Sequence, residues 1–438
     1  MCLPSNDTIA RQMLQVAQQC LNANQGVPGP ESIFLKVVDS RASLALVLIQ
    51  RLATSSLPVK DINHLLTTVV GTIDGVEDPF GPDNIPYYRK LLKALFVVLR
   101  AYQAHADKSN SNSEDGLNGT SVMVTQLVLN ILDRIVGRGF RSLVSLIHDD
   151  QTSVSPEDLA LLTAILQACL SLPSIDQSQT QILNIMASHN CFYAATSLFS
   201  WADQLAVQGD PVYGELSILY LLELSTLPLL AEQMACDGVL SIILTANLTK
   251  YMTKASNISP YSDVPVAQRC YGIWVKGLLP LMLNLLTALG ATVAPEITYV
   301  LNQFPHLLSL SIDRFEAPGA SRTQSRSTPH YLTLLGTSEI HSLALLTRVL
   351  AALRLNNNRD IPEVEWDAAG LLENVEFWLA SKKLLKERLM PLGQREMDWR
   401  SMRRVAGGPG RGDNVLEEKV IAQLEAVRDV LSEELEAE

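Results

Sequence analysis

The chain has 438 residues, 47% of them hydrophobic, enough for a substantial core and for roughly two to four compact domains or one extended repeat array; this excludes a disordered protein. Aromatic content is only 6% while Leu, Ala, Val and Ile dominate, which favours helix-on-helix packing over sheets, whose surfaces enrich β-branched and aromatic residues. A formal net charge of −12 excludes a general nucleic-acid binder, because neutralising phosphates needs a positive surface, and leaves basic partners or neutral grooves to be expected.

The N-terminal stretch MCLPSNDTIARQMLQ has neither the basic region nor the apolar run of a signal peptide. The sequons at Asn118 and Asn247 are therefore not expected to meet glycosylation machinery, and cytosol or nucleus is the expected compartment. The six cysteines, Cys2, Cys20, Cys169, Cys191, Cys236 and Cys270, show no C-x-x-C spacing. Most sit inside apolar helical patterns, where a thiol behaves as a small hydrophobe, so a reducing compartment follows.

Helical periodicity then runs along nearly the whole chain. In IPYYRKLLKALFVVLRAYQ the residues Leu91, Ala94, Leu95, Val98 and Tyr102 share one face, with most of the basic side chains elsewhere. The run 108–120 (KSNSNSEDGLNGT) is polar, low in complexity and the best candidate boundary between two sub-arrays. Helix starts are marked by a cap residue followed by Pro: Ser155-Pro156-Glu157-Asp158, which has capping-box spacing, then Asp210-Pro211, Ser259-Pro260 and Ala294-Pro295. The stretch 216–234 is apolar and broken by Pro228. The next, YGIWVKGLLPLMLNLLTAL at 271–289, has no charge after Lys276 until Glu296, about the length of a membrane span. It also carries Pro280, Asn284 and Thr287 among amphipathic neighbours, and is read as a central helix buried on both sides rather than a direct membrane span.

A Ser/Thr-rich basic loop follows, in which SRTQSRST at 321–328 is a candidate for phosphorylation. Helix EIHSLALLTRVLAALR lines up Ile340, Leu343, Leu346, Leu350 and Leu353. Residues 382–404 are basic, the Gly-rich stretch 405–412 reads as a hinge, and the tail helix presents Leu416, Val420, Leu424, Val427, Leu431 and Leu435 along one face. Arg411-Gly412-Asp413 looks like an integrin tripeptide but is read as hinge.

The organisation expected is N-terminal helical repeats at 1–106, a disordered loop at 107–120, central repeats at 121–316, the Ser/Thr-rich loop at 317–329, C-terminal repeats at 330–404, the hinge at 405–412 and an acidic C-terminal helix at 413–438. No segment alternates as a strand does. Helices of roughly 12 to 20 residues, on the order of ten pairs at the ~40 to 47 residues of HEAT or armadillo units, define an all-α, irregular α-solenoid, with a large globular helical domain as the alternative.

The seven histidines, His64, His105, His148, His189, His306, His330 and His341, are isolated, and H-E-x-x-H, G-x-S-x-G and Walker-type loops are absent. His189 and Cys191 flank Asn190, yet a nucleophile and its base converge in space rather than along the chain. No Cys/His spacing suits structural zinc. The expectation is a protein that is not an enzyme, without cofactor or metal, acting through its surface. The candidate partner-binding residues are Trp366, Phe377, Trp378 and Trp399 with Lys382 and Lys386, aromatics as apolar anchors and cations to steer an acidic amphipathic helix. Alternatively the basic 382–404 zone pairs with the acidic tail.

Between Met234 and Arg354 the segments ACDGVLSIILTANLTKYM, QRCYGIWVKGLLPLMLNLLTALGATVAPEITYVLNQFPHLL and SEIHSLALLTRVLAALR resemble the C-terminal tail region of the large inner-ring scaffold nucleoporins of fungi, the 188-kilodalton class in particular. The resemblance covers about a quarter to a third of the chain. It implies a fragment of a longer protein, a superhelical, karyopherin-like solenoid of HEAT- and armadillo-like repeats, and location at the nuclear pore complex of the nuclear envelope. It further implies a scaffold in nucleocytoplasmic transport that captures a short amphipathic helix of the inner-ring linker nucleoporin, with transport receptors or phenylalanine-glycine repeats as weaker partners. A karyopherin-like transport receptor or cargo adaptor is the alternative, since fold does not fix function.

Overall fold

The computed structural model describes residues 6–25, 32–53, 57–81, 84–109, 118–150, 154–172, 175–255, 257–317, 331–356, 360–402 and 414–437. The Ser/Thr-rich loop beyond Ala317, the hinge with Arg411-Gly412-Asp413, and 110–117 of the polar run lie outside the described residues. Among the described residues there is no strand, only isolated bridges such as Leu332 with Leu389. The chain divides into two compact units, Met1–Leu198 and Phe199–Glu438.

The first unit contains α1 Asn6–Asn22, α2 Ser32–Ala53, α3 Val59–Asp74, α4 Ile85–Ser109, α5 Asn118–Asn130, a π-helical turn Ile131–Gly137, α6 Arg138–Asp149, α7 Pro156–Leu170, α8 Gln179–Ser188 and the start of α9 Cys191–Ser200. Helix α4 buries Leu91, Ala94, Leu95 and Val98, the face its periodicity indicates, and packs on α2, α3 and α7. The polar run 107–120 is therefore not where the units separate: α4 and α7, on either side of it, pack together. The Arg89 guanidinium reinforces this with a fork onto Asp158, at 2.5 and 2.8 Å. Asp158 does double duty, because its carboxylate also accepts from the Ser155 backbone N–H while the Ser155 hydroxyl accepts from the Glu157 N–H, the capping box foreseen from S-P-E-D.

The first π turn has a packing partner in the α8–α9 corner. His189 Nε2 lies 2.7 Å from Asp133 Oδ1, and Cys191 Sγ donates weakly to the Gly137 carbonyl at 3.8 Å. A Cβ at Gly137 would stand 2.7 Å from His189 Cδ2, so glycine lets the corner close on the turn. Asn190, at φ 53°, makes that corner, and Asn tolerates the left-handed region better than most residues. His189 and Cys191 thus have a structural use.

The second unit contains α10 Val212–Leu224, α11 Pro228–Cys236, α12 Val239–Thr245, α13 Asn247–Lys254, α14 Pro265–Gly272, a second π turn Ile273–Leu278, α15 Leu279–Leu289, α16 Ala294–Asn302, α17 Pro305–Asp313, α18 Leu334–Leu355, α19 Ala368–Ala380, α20 Lys382–Arg388, α21 Gln394–Ser401 and α22 Val415–Ala437. Pro280 explains why the long apolar helix changes register. Its ring would strike the carbonyl four residues back in an α-helix, and the wider π turn ending just before it absorbs the mismatch. The continuous helix Pro265–Thr292 is long and apolar enough to cross a membrane, but protein surrounds it: α15 packs on α10, α11, α16 and α18, and Tyr271, Trp274, Leu278, Leu281 and Leu285 are buried. Asn284 Nδ2 donates to Ser225 Oγ at 3.0 Å. Helix α10 comes so close that a Cβ at Gly277 would sit 2.3 Å from Ile218 Cγ2.

A charged centre lies within this apolar packing. Glu339 of α18, fully buried, accepts from Tyr271 Oη at 2.6 Å, from Trp274 Nε1 at 3.0 Å and from Arg314 Nη1 at 2.5 Å. Arg314 Nη2 in turn donates to the Ile258 carbonyl at 3.0 Å, and its guanidinium lies 4.6 Å over the Tyr271 ring. Burial, then the Glu339 charge, push the Tyr271 phenol well up. Burial pulls the Arg314 guanidinium down, but Glu339, Tyr271 and Tyr261 outweigh it and leave it raised. Nearer the surface, Arg269 forks onto Asp210 at 2.8 and 2.6 Å and also pairs with Glu215, joining α14 to α10.

Two outcomes follow for stability. Gly277→Ala is expected to cost about 1–3 kcal/mol through overpacking, with partial recovery in Gly277→Ala/Ile218→Ala, measured by urea denaturation. Glu339→Ala should cost roughly 3–5 kcal/mol by orphaning Arg314, whereas replacing the pair together, Glu339→Leu with Arg314→Met, should cost much less. Equal losses in the single and double variants would remove the ion pair from this account.

Candidate functional site

The C-terminal part of the second unit gathers around one apolar cluster. Phe315, Leu332, Ile340, Leu371, Val375 and Trp378 are buried in it together with the α22 residues Leu416, Val420, Leu424, Val427 and Leu431. The tail helix therefore docks by the face its heptad-like spacing indicates, each buried Leu or Val contributing about 1.5–3 kcal/mol gross. It packs on α18, α19 and α21. At its far end Arg348 of α18 reaches Glu433 at 2.5 Å.

The candidate aromatic residues divide sharply by environment. Trp378 is only 1% exposed, and its indole N–H donates to the Phe315 carbonyl at 2.7 Å. It is a core residue and offers no partner surface, a correction to the expectation that it serves as an apolar anchor for a partner. The reason is register: along α19, Leu371, Val375 and Trp378 lie at i, i+4 and i+7 on the buried face, which turns Phe377 toward the edge. Phe377 is half-buried, edge-on to the Trp378 ring at 5.5 Å.

Trp366 is half-buried too, donating its N–H to Ser311 Oγ at 3.1 Å. It lines a cleft of ≈ 230 Å³ with Thr347, Leu350 and Arg354 of α18, while Asn302 of α16 holds the flanking extended segment through Glu363 O and Glu365 N, at 2.9 and 3.2 Å. Lys382 and Lys386 are exposed on α20, where Lys382 borders a separate shallow cleft with Lys383, Leu384 and Glu387. Trp399 of α21 is half-buried between two cations, Arg395 and Lys419, each 4.7 Å from its ring centroid. Lys419 belongs to α22, so one contact between the basic zone and the tail runs through an aromatic ring.

Trp366, Phe377 and Trp399 all pack against the same cluster as Trp378, but the cleft beside Trp366 and the cleft beside Lys382 have no lining residue in common. They do not form one groove. On and just after α21, Met397 and Met402 are about half exposed at 51% and 53%, and Arg395 and Arg400 are exposed on the same helix. Glu396, its carboxyl pushed up by burial, accepts from the Leu392 N–H at 2.7 Å and secures the start of α21. These methionines were missed in the sequence; their position near a tryptophan, on and just after a short, polar helix, was the available signal. Among the described residues no group of three or more His, Cys, Asp or Glu is arranged to hold a metal ion.

An all-α stack of short paired helices, with surface clefts and aromatic side chains at the edge of a helical core, defines the α-solenoid class of helical-repeat scaffold proteins. More specifically, residues 65–431 match the family model of the nuclear pore protein NUP188 C-terminal domain, and the chain belongs to that family. Membership makes it a nucleoporin, a protein of the nuclear pore in the nuclear envelope. It is 51% identical to Nucleoporin NUP188 of Chaetomium thermophilum over 99% of this chain and 25% of that protein, and 22% identical to Nucleoporin nup184 of Schizosaccharomyces pombe over 70% of this chain and 19% of that one. The chain thus spans about a quarter of the length of the first of these relatives. A solved fragment of Nup188 from Myceliophthora thermophila superposes with a TM-score of 0.73 at 56% identity, covering 86% of this chain and all of the fragment.

Truncating the tryptophans separates core from surface. Trp378→Ala is expected to cost roughly 3–5 kcal/mol in chemical denaturation, and Trp399→Ala less than about 2 kcal/mol, since its ring is only half-buried at the edge of the cluster, beside exposed cations.

Proposed function

We propose that this chain is a non-enzymatic scaffold segment of the nuclear pore inner ring whose second unit docks a short amphipathic helix of a linker nucleoporin. The observation that carries the reading is the set of exposed and half-buried side chains in the segment 382–402: Trp399, Met397 and Met402 can supply apolar contact, and Lys382, Lys386, Arg395 and Arg400 are exposed cations of the same segment. A helical ligand laid there would bury its apolar stripe on the methionines and tryptophan and set acidic side chains against the cations. Phe377, at the edge of α19, is the further anchor; Trp366 lines its own cleft and is reserved for a second contact.

Calorimetric titration of the full chain with the linker peptide tests this. Trp399→Ala with Met397→Ala should weaken binding roughly tenfold or more. Lys382→Glu with Lys386→Glu should weaken it at low salt and flatten its salt dependence, because exposed charges act chiefly by steering. Unchanged affinity in both variants would move the site elsewhere. Release of the peptide by the transport GTPase would instead favour the transport-receptor reading.

A further inference from the structure

In the first unit, α3, α5, α8 and the first π turn enclose an open groove of ≈ 970 Å³, large enough to bury a bound segment. Leu127, Leu129 and Ile185 supply its more buried apolar surface, and Met123, 64% exposed, continues it. Four carboxamides line it as well: Gln126 and Asn130 about one turn apart on α5, and Gln181 and Asn184 about one turn apart on α8. Among the described residues none of these carboxamides has a protein hydrogen-bond partner. The two charged residues at the groove are already engaged, Asp133 by His189 at 2.7 Å and Arg134 by Asp74 at 3.6 Å.

This chemistry selects among ligands. With both of its charged side chains already in contact with an internal partner, the groove offers an acidic or basic segment little to pair with. A carboxamide both donates and accepts in one plane, which matches the C=O and N–H of a peptide backbone. A helix has already used those backbone groups internally, so only an extended chain presents them. Along the helix axis Gln126 and Asn130, four residues apart, stand about 6.0 Å apart, close to the ~6.6 Å two-residue repeat of an extended strand, and Gln181 and Asn184, three apart, about 4.5 Å. Alternate side chains of such a strand would then face the apolar surface.

We propose that this groove docks a short, uncharged peptide segment in extended conformation, held by backbone hydrogen bonds to Gln126, Asn130, Gln181 and Asn184, with alternate apolar side chains against Leu127 and Ile185. The site is separate from the α20–α21 surface and stands or falls independently of it.

The probe is a fluorescein-labelled uncharged peptide in which Leu and Phe alternate with Ser and Asn, titrated by anisotropy against the full chain. Wild type should bind it with little dependence on salt. Gln126→Ala with Asn130→Ala should bind roughly tenfold more weakly, as loss of two hydrogen bonds implies, with an unchanged melting temperature. Met123→Asp is the second variant and should also weaken binding. The same peptide N-methylated at alternate amides should lose most of its affinity. The proposal is overturned by absent binding to wild type, by equal affinity of the N-methylated peptide, or by tighter binding of a stapled helical peptide that displaces the probe. It is likewise overturned if sedimentation shows a dimer that Met123→Asp dissociates, which would make a second copy the occupant.

Discussion

The second unit depends on a carboxylate taken out of water. Glu339 is fully buried, and a lone carboxylate there would be too costly to keep ionised; Arg314, Tyr271 and Trp274 together make the arrangement tenable. Glu339 stands in the first turns of α18, and its partners come from two other places in the chain: the end of α14 with the second π turn, and the residue after α17. Each hydrogen bond has a narrow range of distance and angle, so satisfying all of them holds these helices in one relative placement. Leucine packing alone would tolerate sliding.

That placement sets up what lies beyond it. Helix α18, held at its start by Glu339, runs on to receive α22 along its length, and α19 and α21 pack on α22 in turn. The aromatic residues near this surface then sort by helical register. Trp378 turns inward, and Trp399 is left at the edge, clasped by Arg395 and Lys419. Along one short helix a one-residue difference in position, as between Trp378 and Phe377, separates a core residue from one at the edge of the core.

The two π turns show a related economy within their respective units. In one, the widened register accommodates Pro280 inside an otherwise continuous apolar helix. In the other, the turn is met by His189 and Cys191 from a corner shaped by a left-handed Asn190, and its flank contributes Asp133 and Arg134 to a groove otherwise lined by neutral groups. Irregular backbone thus coincides with specific side-chain use.

Much was legible in the sequence because local rules govern it. Apolar spacing in 85–103, 339–354 and 416–431 marked the faces that are buried, S-P-E-D marked a capping box, and the wording of 234–354 pointed to the family. The unit division at 198/199 was not legible, since the Arg89–Asp158 bridge and the α4–α7 contact reach across the polar run that composition suggested as a boundary. Nor was the buried pair: Glu339 sits at i, i+4, i+7 and i+11 with Leu343, Leu346 and Leu350, a carboxylate on an apolar stripe, but its partners lie 25 to 68 residues away in the chain. The sequence by itself determined helical class, buried faces and family, because these follow from periodicity and residue identity. Only the tertiary structure decided which charges pair in the interior, which tryptophan is core and which grooves open, because each depends on side chains that meet only after distant helices have packed.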